Sequence, residues 1–409
     1  MNKKIKVLVH PSDRTGVSYF RSTRPHIALE EMFPDDFHID IDYDPKYNDA
    51  EFLKQYDIVH YHRTFGPYEE MSATTATLKS LGIKGIMDLD DYWSPGTHHP
   101  AYLIIKENGL DKKLVDNIKL AEYVMTTTPI FAKEMNKFNL NTLVVPNAID
   151  PTEKQYISNP EPSDRIRIGW LGGSSHLRDL EILKGVVSRL KTEGLMDKVQ
   201  FVLCGFDTRG TITTINQDTK EQQVRKIQPH ESVWTKYEQI FTDDYSTVSP
   251  EYKAFLLKYS KDEWPNIANE PYRRVWTKPI STYATNYNLF DISLAPLEEN
   301  IFNKVKSQLK VIEAGFHKKA LIAQNYGPYQ IDCVEAYQRG GTISPNGNAF
   351  LIDSVKNHKE WYELIKRLIK NPDLIPQLAN NLYNTVKDTY SIEATTRLRA
   401  DVYKKLLNR

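Results

Sequence analysis

Short apolar runs rich in Val, Ile and Leu recur along the whole chain, with helical stretches between them. In the first half these runs occupy 5–10, 37–43, 56–62, 83–89, 121–128 and 142–147. In the second half they occupy 165–172, 199–205, 290–297, 319–325 and 349–354. Such strands are buried on both faces, as in parallel sheets that crossover helices cover on each side. The sequence therefore predicts an α/β protein with two doubly wound domains.

A proline-rich segment separates the two series of strands. Residues 146–165 contain four prolines and few apolar residues, which is typical of a linker. We expect a first domain over 1–150, a linker over 151–165 and a second domain over 166–385, followed by a terminal segment over 386–409. The tail from 358 onwards is predicted to be helical, with a break at Asn371-Pro372.

One stretch, 206–280, fits the alternation of strands and helices poorly. It is polar, carries few strand signals and is rich in aromatic residues, among them Trp234, Tyr237, Trp264, Tyr272 and Trp276. Long insertions of this kind are usually functional. We expect this one to form part of a binding surface.

Charge and cysteine content exclude several classes of protein. The 409 residues carry 53 basic and 53 acidic side chains, which argues against a protein that coats nucleic acid. The basic excess lies in 161–409 and the acidic excess in 1–160. Two cysteines, Cys204 and Cys333, are too few for a disulfide scaffold. Without a signal-peptide pattern or a membrane-length apolar run, we expect a cytoplasmic protein, and peripheral contact with the inner membrane face stays open.

Ligands of open parallel sheets bind beyond the carboxyl ends of the strands, so the loops there are the first candidates for a site. After the first strand, Gly16 lies in the turn and Arg21 follows it. After the strand 165–172, a glycine pair opens a loop that leads to a helix, with candidate residues Gly172, Gly173, Ser174 and His176. A plain strand-to-helix turn is the alternative in both places. Neither loop spells GxGxxG or GxxxxGK[ST], which disfavours NAD and ATP enzymes of those classes.

The segment 294–330 carries the most information about function. Ser307 is a candidate N-cap, and the helix after it places apolar side chains on one face at Leu309, Ile312 and Phe316. Glu313 lies on or beside that face and needs a dedicated partner, such as ligand hydroxyls. Lys306 precedes the helix start, where an anion is already attracted. These features suit a nucleotide diphosphate sugar. The alternative is a solvated lysine with a core glutamate that the backbone satisfies.

The same segment resembles a known family. The sequence D-I-S-L-A-P-L is followed by F-N-x-x-K-S-x-L-K-x-x-E-A-G, by an apolar strand and by G-P-Y. The second half is similar to the donor domain of retaining glycosyltransferases with the GT-B fold, in the family 4 or group 1 (glycogen-synthase-like) set. The first half adds a glycine-containing loop after the first strand and the sequence VVPNAID before the linker.

The resemblance implies two Rossmann-like domains facing a cleft, with the C-terminal helix packing back on the first domain. It implies a hexosyltransferase that moves a sugar with retention from a nucleotide diphosphate-sugar to a glycan or lipid-linked acceptor, in polysaccharide or glycoconjugate biosynthesis. The nucleotide sugar is then a substrate, and neither a cofactor nor a metal is expected. Two alternatives stay open, namely a non-hydrolysing nucleotide-sugar 2-epimerase and a non-catalytic relative that binds a glycan or a partner.

The chain departs from the family's E-x7-E pattern at one position. Glu313 matches the second glutamate, which contacts the ribose, but the first falls on Val305. Asn303 and Lys306 resemble a variant of this motif. The resemblance therefore implies donor contacts from Asn303, Ser307 and Glu313 and a catalytic role for Lys306, and it leaves open how the donor sugar is held.

Carboxylates and histidines at strand ends of the first half suggest two metal sites, and we expect neither. Asp88-Leu89-Asp90 spells the DxD of metal-dependent glycosyltransferases with a different fold, a short spacing that arises often by chance. We expect Asp90 or Asp91 to face the cleft instead, with a catalytic role towards the acceptor or the reacting sugar. The histidines at 60, 62, 98 and 99 are accompanied by no third ligand at zinc spacing.

Overall fold

The first half of the chain forms a six-stranded parallel sheet. The structure is a computed structural model that describes residues 3–215, 219, 221–242, 246–258, 272–340, 342–354 and 358–409. The strands of this sheet are β1 (Ile5–His10), β2 (Phe37–Ile41), β3 (Ile58–His62), β4 (Lys84–Leu89), β5 (Tyr123–Thr126) and β6 (Thr142–Val144). Their order across the sheet is β2-β1-β3-β4-β5-β6, with every pairing parallel.

Helices connect these strands, as a parallel sheet requires. They are α1 (Gly16–Ser18), α2 (Arg24–Met32), α3 (Ala50–Leu53), α4 (Met71–Ser80), α5 (Tyr102–Glu107), α6 (Leu110–Leu120) and α7 (Pro129–Met135). A π-helical turn over Tyr19–Thr23 joins α1 to α2.

The second half repeats the architecture. Its strands are β7 (Ile166–Leu171), β8 (Val199–Phe206), β9 (Thr211–Ile215), β10 (Gln222–Lys226), β11 (Tyr272–Trp276), β12 (Ile292–Ala295), β13 (Ala320–Gln324) and β14 (Phe350–Ile352). Six of them form a parallel sheet in the order β11-β8-β7-β12-β13-β14, and β9 and β10 form a separate antiparallel pair. Two doubly wound α/β halves were predicted, and the structure confirms them.

The helices of the second half include a correction to the sequence analysis. They are α8 (Leu177–Glu181), α9 (Val186–Thr192), α10 (Val233–Phe241), α11 (Pro250–Leu256), α12 (Ile301–Lys304), α13 (Leu309–Phe316), α14 (Lys359–Lys370), α15 (Leu374–Val386) and α16 (Ile392–Leu406). The helical periodicity over 179–194 predicts one helix, but the chain breaks between α8 and α9. Gly185 there has a φ of 107°, which glycine adopts without strain.

The C-terminal tail is helical with two breaks, where one was predicted. The second break follows α15, and Ser391 then caps α16 by accepting a hydrogen bond from the backbone N–H of Ala394 at 3.2 Å. Helix α16 packs against α2 of the first half. There the Tyr403 hydroxyl lies 2.7 Å from His26 Nε2, and Lys404 pairs with Asp36 at 2.6 Å.

The aromatic-rich stretch 206–280 is more regular than its composition suggests. It supplies β11, which extends the second sheet beside β8, and α10, whose Trp234 and Tyr237 are buried. Sequence analysis missed β11 because this edge strand carries two arginines, Arg273 and Arg274. Trp264 lies outside the described residues.

Apolar clusters cover both faces of each sheet. Val305 is fully buried in the cluster that covers one face of the first sheet, although it follows α12 of the second half. Both cysteines are buried as free thiols. None of the helices in the described part of the chain combines the length and the apolar character that crossing a bilayer requires.

Candidate functional site

An open cleft of about 950 Å³ takes its walls from both halves of the chain. The first half contributes the loop from Gly96 to Pro100. The second half contributes the predicted donor-binding residues Ser174 and Asn303 and the predicted catalytic residue Lys306. The stretch 206–280 supplies a further wall, with Arg209, Ile212, Ile227, Trp234 and Lys236 among its lining residues.

The glycine pair after β7 is held in place by the neighbouring insertion. A Cβ on Gly172 would come within 2.5 Å of the Trp170 ring, so the chain can pass there only as glycine. The Tyr237 hydroxyl on α10 donates to the carbonyl of Gly173 at 3.2 Å and accepts from the backbone N–H of His176 at 2.8 Å. Helix α10 therefore fixes the conformation of the loop whose next residue, Ser174, lines the cleft.

The charge of Lys306 acts on side chains of both halves. It follows α12, and its Nζ lies 5.0 Å from the centre of the Phe302 ring. In the first half, its charge acts with burial to lower the pKa of His99 and favours the ionised form of Asp91. In the second half, it acts in the same way on His176 and Asp179. A cation at this point is therefore available to an anion in the cleft.

His176 and Asp179 form a hydrogen-bonded pair beside this lysine. Their Nδ1 and Oδ2 atoms are 2.6 Å apart, and Asp179 Oδ1 accepts from Asn303 Nδ2 at 2.9 Å. Burial and then the Lys306 cation lower the pKa of His176 to about 4. The imidazole is therefore neutral near pH 7 and donates through Nδ1, which leaves Nε2 as an acceptor. Asp179 was not among the predicted residues, although its i,i+3 spacing from His176 is a signal that could have found it.

Glu313 obtains its hydrogen bonds from the protein. Its side chain on α13 is buried and accepts from the hydroxyl of Tyr283 and from that of Tyr287, the latter at 3.0 Å. Burial raises the pKa of Glu313 to about 7, against these hydrogen bonds and the nearby Lys310 cation. The dedicated partner that its position demands is therefore a pair of tyrosines, where sequence analysis expected ligand hydroxyls or the backbone.

The start of α13 differs from the prediction. Gln308 occupies the N-cap position, where Ser307 was expected, and it makes no capping bond through its side chain. Gln308 Nε2 instead donates to the Tyr390 hydroxyl at 2.9 Å, which draws the side chain away from the helix end. Ser307 is half-buried and lies one residue before this cap.

Asp90 and Asp91 follow β4 at the carboxyl edge of the first sheet. Asp90 Oδ1 lies 3.2 Å from His62 Nε2. Burial opposes ionisation of Asp90, but the hydrogen bond from His62 and the charges of Arg63 and Arg21 outweigh it and lower the pKa to about 2. Burial and the neighbouring Asp90 charge raise the pKa of Asp91, while Lys306 acts in the opposite direction. The pKa of Asp90 therefore lies below its ordinary value and that of Asp91 above it, so Asp91 binds a proton at a higher pH than Asp90 does.

Arg21 lies in the interior of the first half, away from the ligand edge where its loop was expected to place it. Its guanidinium is fully buried and binds both carboxylate oxygens of Asp88, at 2.8 and 3.0 Å. It also donates to the Val145 carbonyl at 2.7 Å. Because the Asp88 carboxylate is paired with Arg21 in the interior, it is not available as the first metal ligand of the DxD spacing. Gly16 lies at the start of α1, where a Cβ would contact Ile280 of the second half at 3.4 Å.

Within the described ranges, no group of three or more His, Cys, Asp or Glu side chains is placed so that it could hold a metal ion. His60 is fully buried against Asp88, and His98 contacts Arg178 across the cleft at 3.2 Å. His99 packs against Phe302.

Comparison with known proteins gives similarity in structure but not in sequence. No family model matches the chain, and no curated protein matches it. Among solved structures, it is similar to Anabaena Alr3699/HepE in complex with UDP and glucose, with a TM-score of 0.58, 11% identity and 98% of each chain covered. Sucrose-phosphate synthase from Thermosynechococcus elongatus has a TM-score of 0.58 at 12% identity, over 99% of this chain and 100% of that one.

The similarity extends to an enzyme from a plant. The catalytic domain of starch synthase IV from Arabidopsis thaliana, bound to ADP and acarbose, has a TM-score of 0.51 at 12% identity, over 88% of this chain and 76% of that one. These proteins are GT-B glycosyltransferases, and the two parallel six-stranded sheets described above agree with that fold. The chain therefore has the GT-B fold.

Proposed function

We propose that the protein is a glycosyltransferase that moves a hexose-type sugar from a nucleotide diphosphate-sugar to a glycan or lipid-linked acceptor. The observation that carries the proposal is the position of Lys306, a cation in the cleft beside the glycine loop and beside side chains of both halves. Structures with the same fold hold UDP with glucose, or ADP, which agrees with a donor of this class.

The difficult part of this reaction is the departure of the diphosphate, since negative charge develops on its oxygen. Lys306 and the backbone of Gly172, Gly173 and Ser174 would stabilise that charge from fixed positions, and preorganised groups of this kind are often the largest catalytic contribution. Asn303 and His176 would contact the donor from the same wall. Transfer proceeds with retention and without a metal, as the resemblance of 294–330 implies.

The first half provides the acceptor side in this proposal, with Asp90 and Asp91 next to the reacting sugar and Gly16 at the contact between the halves. We assign residues 1–150 to the acceptor-side domain, 166–385 to the donor domain and 386–409 to the returning helix. Ser307 and Glu313 would contact the nucleotide once Tyr283 releases the Glu313 carboxylate. The proposed setting is polysaccharide or glycoconjugate biosynthesis in the cytoplasm or at the inner membrane face.

Val305 favours one alternative, a non-catalytic relative, because an apolar side chain occupies the position of the first family glutamate and is buried. The purified protein should be incubated with a panel of nucleotide sugars and candidate acceptors, with diphosphate release and product mass measured. Release with transfer supports the glycosyltransferase. An isomer without release indicates the 2-epimerase, and tight binding without turnover indicates the binding relative.

A further inference from the structure

Three polar side chains from the first half form a continuous hydrogen-bonded chain at one sheet edge. Ser12 follows β1, His62 ends β3 and Asp90 follows β4, and these three strands are neighbours in the sheet. Ser12 Oγ lies 2.7 Å from His62 Nδ1, and His62 Nε2 lies 3.2 Å from Asp90 Oδ1. Ser12 is exposed while the His62 side chain is only 1% exposed, so the chain leads from solvent into the protein.

The ionised carboxylate sets the direction of these hydrogen bonds. Because Asp90 accepts, His62 must donate through Nε2, and its Nδ1 then carries the lone pair that accepts the Ser12 hydroxyl hydrogen. The Ser12 oxygen keeps its own lone pairs at the exposed end. A ligand hydroxyl that donates to Ser12 would therefore enter a chain in which each hydrogen bond polarises the next.

The charges around His62 indicate which kind of reaction these three hydrogen-bonded side chains could assist. The ionisable groups that face it are His10 from β1, Asp13 from the following loop, His60 from its own strand, and Asp90 and Asp91 after β4. Arg63, the next residue in the chain, adds a cation that acts on both carboxylates after β4.

A carboxylate lies at the exposed end of these hydrogen-bonded side chains. Asp13 Oδ2 lies 3.5 Å from Ser12 Oγ, and hydrogen bonds from Thr15 and Ser18 outweigh burial and hold the pKa of Asp13 below its ordinary value. An oxyanion, such as acyl transfer produces, would be repelled there. A hydroxyl that attacks a positively charged carbon would be favoured, and an oxocarbenium-like sugar is such a centre.

We infer that Ser12, His62 and Asp90 form a proton relay that receives the attacking hydroxyl of the acceptor, an inference that rests on the proposed function. The acceptor oxygen bonds to the anomeric carbon as the bond from that carbon to the diphosphate oxygen breaks, and the electron pair leaves with the diphosphate. The acceptor's proton moves to Ser12 Oγ while the Ser12 proton moves to His62 Nδ1. Ser12 is the catalytic residue, and His62 and Asp90 are positioning residues that act through it.

The relay is compatible with retention at the anomeric carbon. Retention requires the acceptor oxygen to approach on the face from which the diphosphate departs. A side chain that takes the proton from the far side of the attacking oxygen does not occupy the face of the anomeric carbon from which the diphosphate departs. The relay lies near the cleft, because Leu89, which precedes Asp90, belongs to the same apolar cluster as Val305, which precedes the cleft residue Lys306.

The test compares transfer with donor binding in the full-length chain. The probes are UDP for binding, UDP-glucose as donor and p-nitrophenyl α-glucoside as a hydroxyl acceptor, the last two replaced by whichever pair the panel identifies. We expect Ser12→Ala and His62→Gln each to lower the transfer rate at least tenfold, with UDP affinity within twofold of the wild-type value. Ser12→Thr, which keeps the hydroxyl, should retain most of the rate.

The split between kcat and KM separates a relay from a merely structural role. Loss of the relay in Ser12→Ala or His62→Gln should lower kcat for transfer and leave the KM for the donor within twofold of the wild-type value. His10→Gln, which changes the neighbouring histidine at the end of β1, should keep the wild-type kcat and KM. Unchanged transfer in folded Ser12→Ala and His62→Gln, or an equal loss of UDP binding, would overturn the relay alone. A wild-type protein that neither binds UDP nor turns over any donor of the panel would overturn the proposed function and the relay together.

Discussion

The hydroxyl of Tyr237 donates to the carbonyl of Gly173 at 3.2 Å, so a side chain of the aromatic insertion holds the loop that leads into the cleft. The same oxygen accepts from the backbone N–H of His176. One hydroxyl therefore fixes both ends of the Gly173–His176 turn. The insertion contributes to the proposed donor site by restricting the backbone as well as by lining the cleft.

Removing this hydroxyl should weaken nucleotide binding. We expect Tyr237→Phe to lower UDP affinity roughly fivefold to tenfold, about 1 kcal/mol, because the loop loses two hydrogen bonds but keeps its packing. Isothermal titration with UDP measures the change. Tyr56→Phe is the matched control, since the Tyr56 hydroxyl hydrogen-bonds to Asp40 in the first half. Equal affinities for both variants would show that the loop does not need Tyr237.

Lys306 should contribute to the chemical step. We expect Lys306→Ala to lower kcat at least tenfold, which corresponds to ~1.4 kcal/mol of transition-state stabilisation. Initial rates at saturating donor give this value. Lys304→Ala is the control, because Lys304 is an exposed lysine two residues earlier at the end of α12. Unchanged turnover in a folded Lys306→Ala variant would refute the assignment of the cation to the leaving diphosphate.

Glu313 should make stability depend on pH. Its carboxyl has an ordinary pKa of 4.5 when unfolded and about 7 when folded, so between these values the folded state binds more protons. The free energy of unfolding should therefore fall as pH rises from 4.5 to 7, by about 3 kcal/mol at most from this group. Lys310, whose pKa burial lowers to about 8, has the opposite effect only at higher pH.

Thermal unfolding of the wild type and of Glu313→Gln between pH 5 and 7 isolates this effect. Glutamine carries no ionisable proton, so the Tm difference should shift in favour of the variant as pH rises. The wild-type curve serves as the control for all other titrating groups. Parallel Tm curves would contradict the raised pKa.

Arg21 should matter for stability and not for ligand binding. Arg21→Ala leaves the Asp88 carboxylate buried without its partner, and we expect a loss of about 3–5 kcal/mol in the free energy of unfolding. Denaturant titration measures it. Arg24→Ala, which removes a 22% exposed arginine of the same segment, should cost much less. The double variant Arg21→Met/Asp88→Leu should recover most of the loss, and UDP affinity should stay constant throughout.

The strands of both sheets were predictable because burial on two faces leaves a continuous apolar run in the sequence. The run 5–10 corresponds to β1 residue by residue. Edge strand β11 was not predictable in this way, since none of the described strands pairs with one of its edges and its side chains include charged ones. The break at Gly185 depends on the positive backbone φ of this residue, which the spacing of apolar residues does not predict.

The candidate site could be predicted only for residues that follow a strand, because the end of a parallel strand places them at the ligand edge of the sheet. Ser174, Asn303 and Lys306 follow strands of the second sheet and line the cleft, and these strand ends made all three candidates in the sequence. Tyr237 is 64 residues from Gly173, and a hydrogen bond over that separation leaves no local pattern. The partners of Glu313 were missed for the same reason.

Val305 gives the two halves a resting arrangement that does not depend on ligand. Any opening of the cleft that withdraws this side chain from the first-half cluster exposes a valine to water, at a cost of about 2 kcal/mol. Taken alone, this contribution corresponds to a factor of roughly thirty in favour of the arrangement in which Val305 is buried. Because apolar burial weakens on cooling, this preference should diminish at low temperature, and the protein would then admit large ligands more readily when cold.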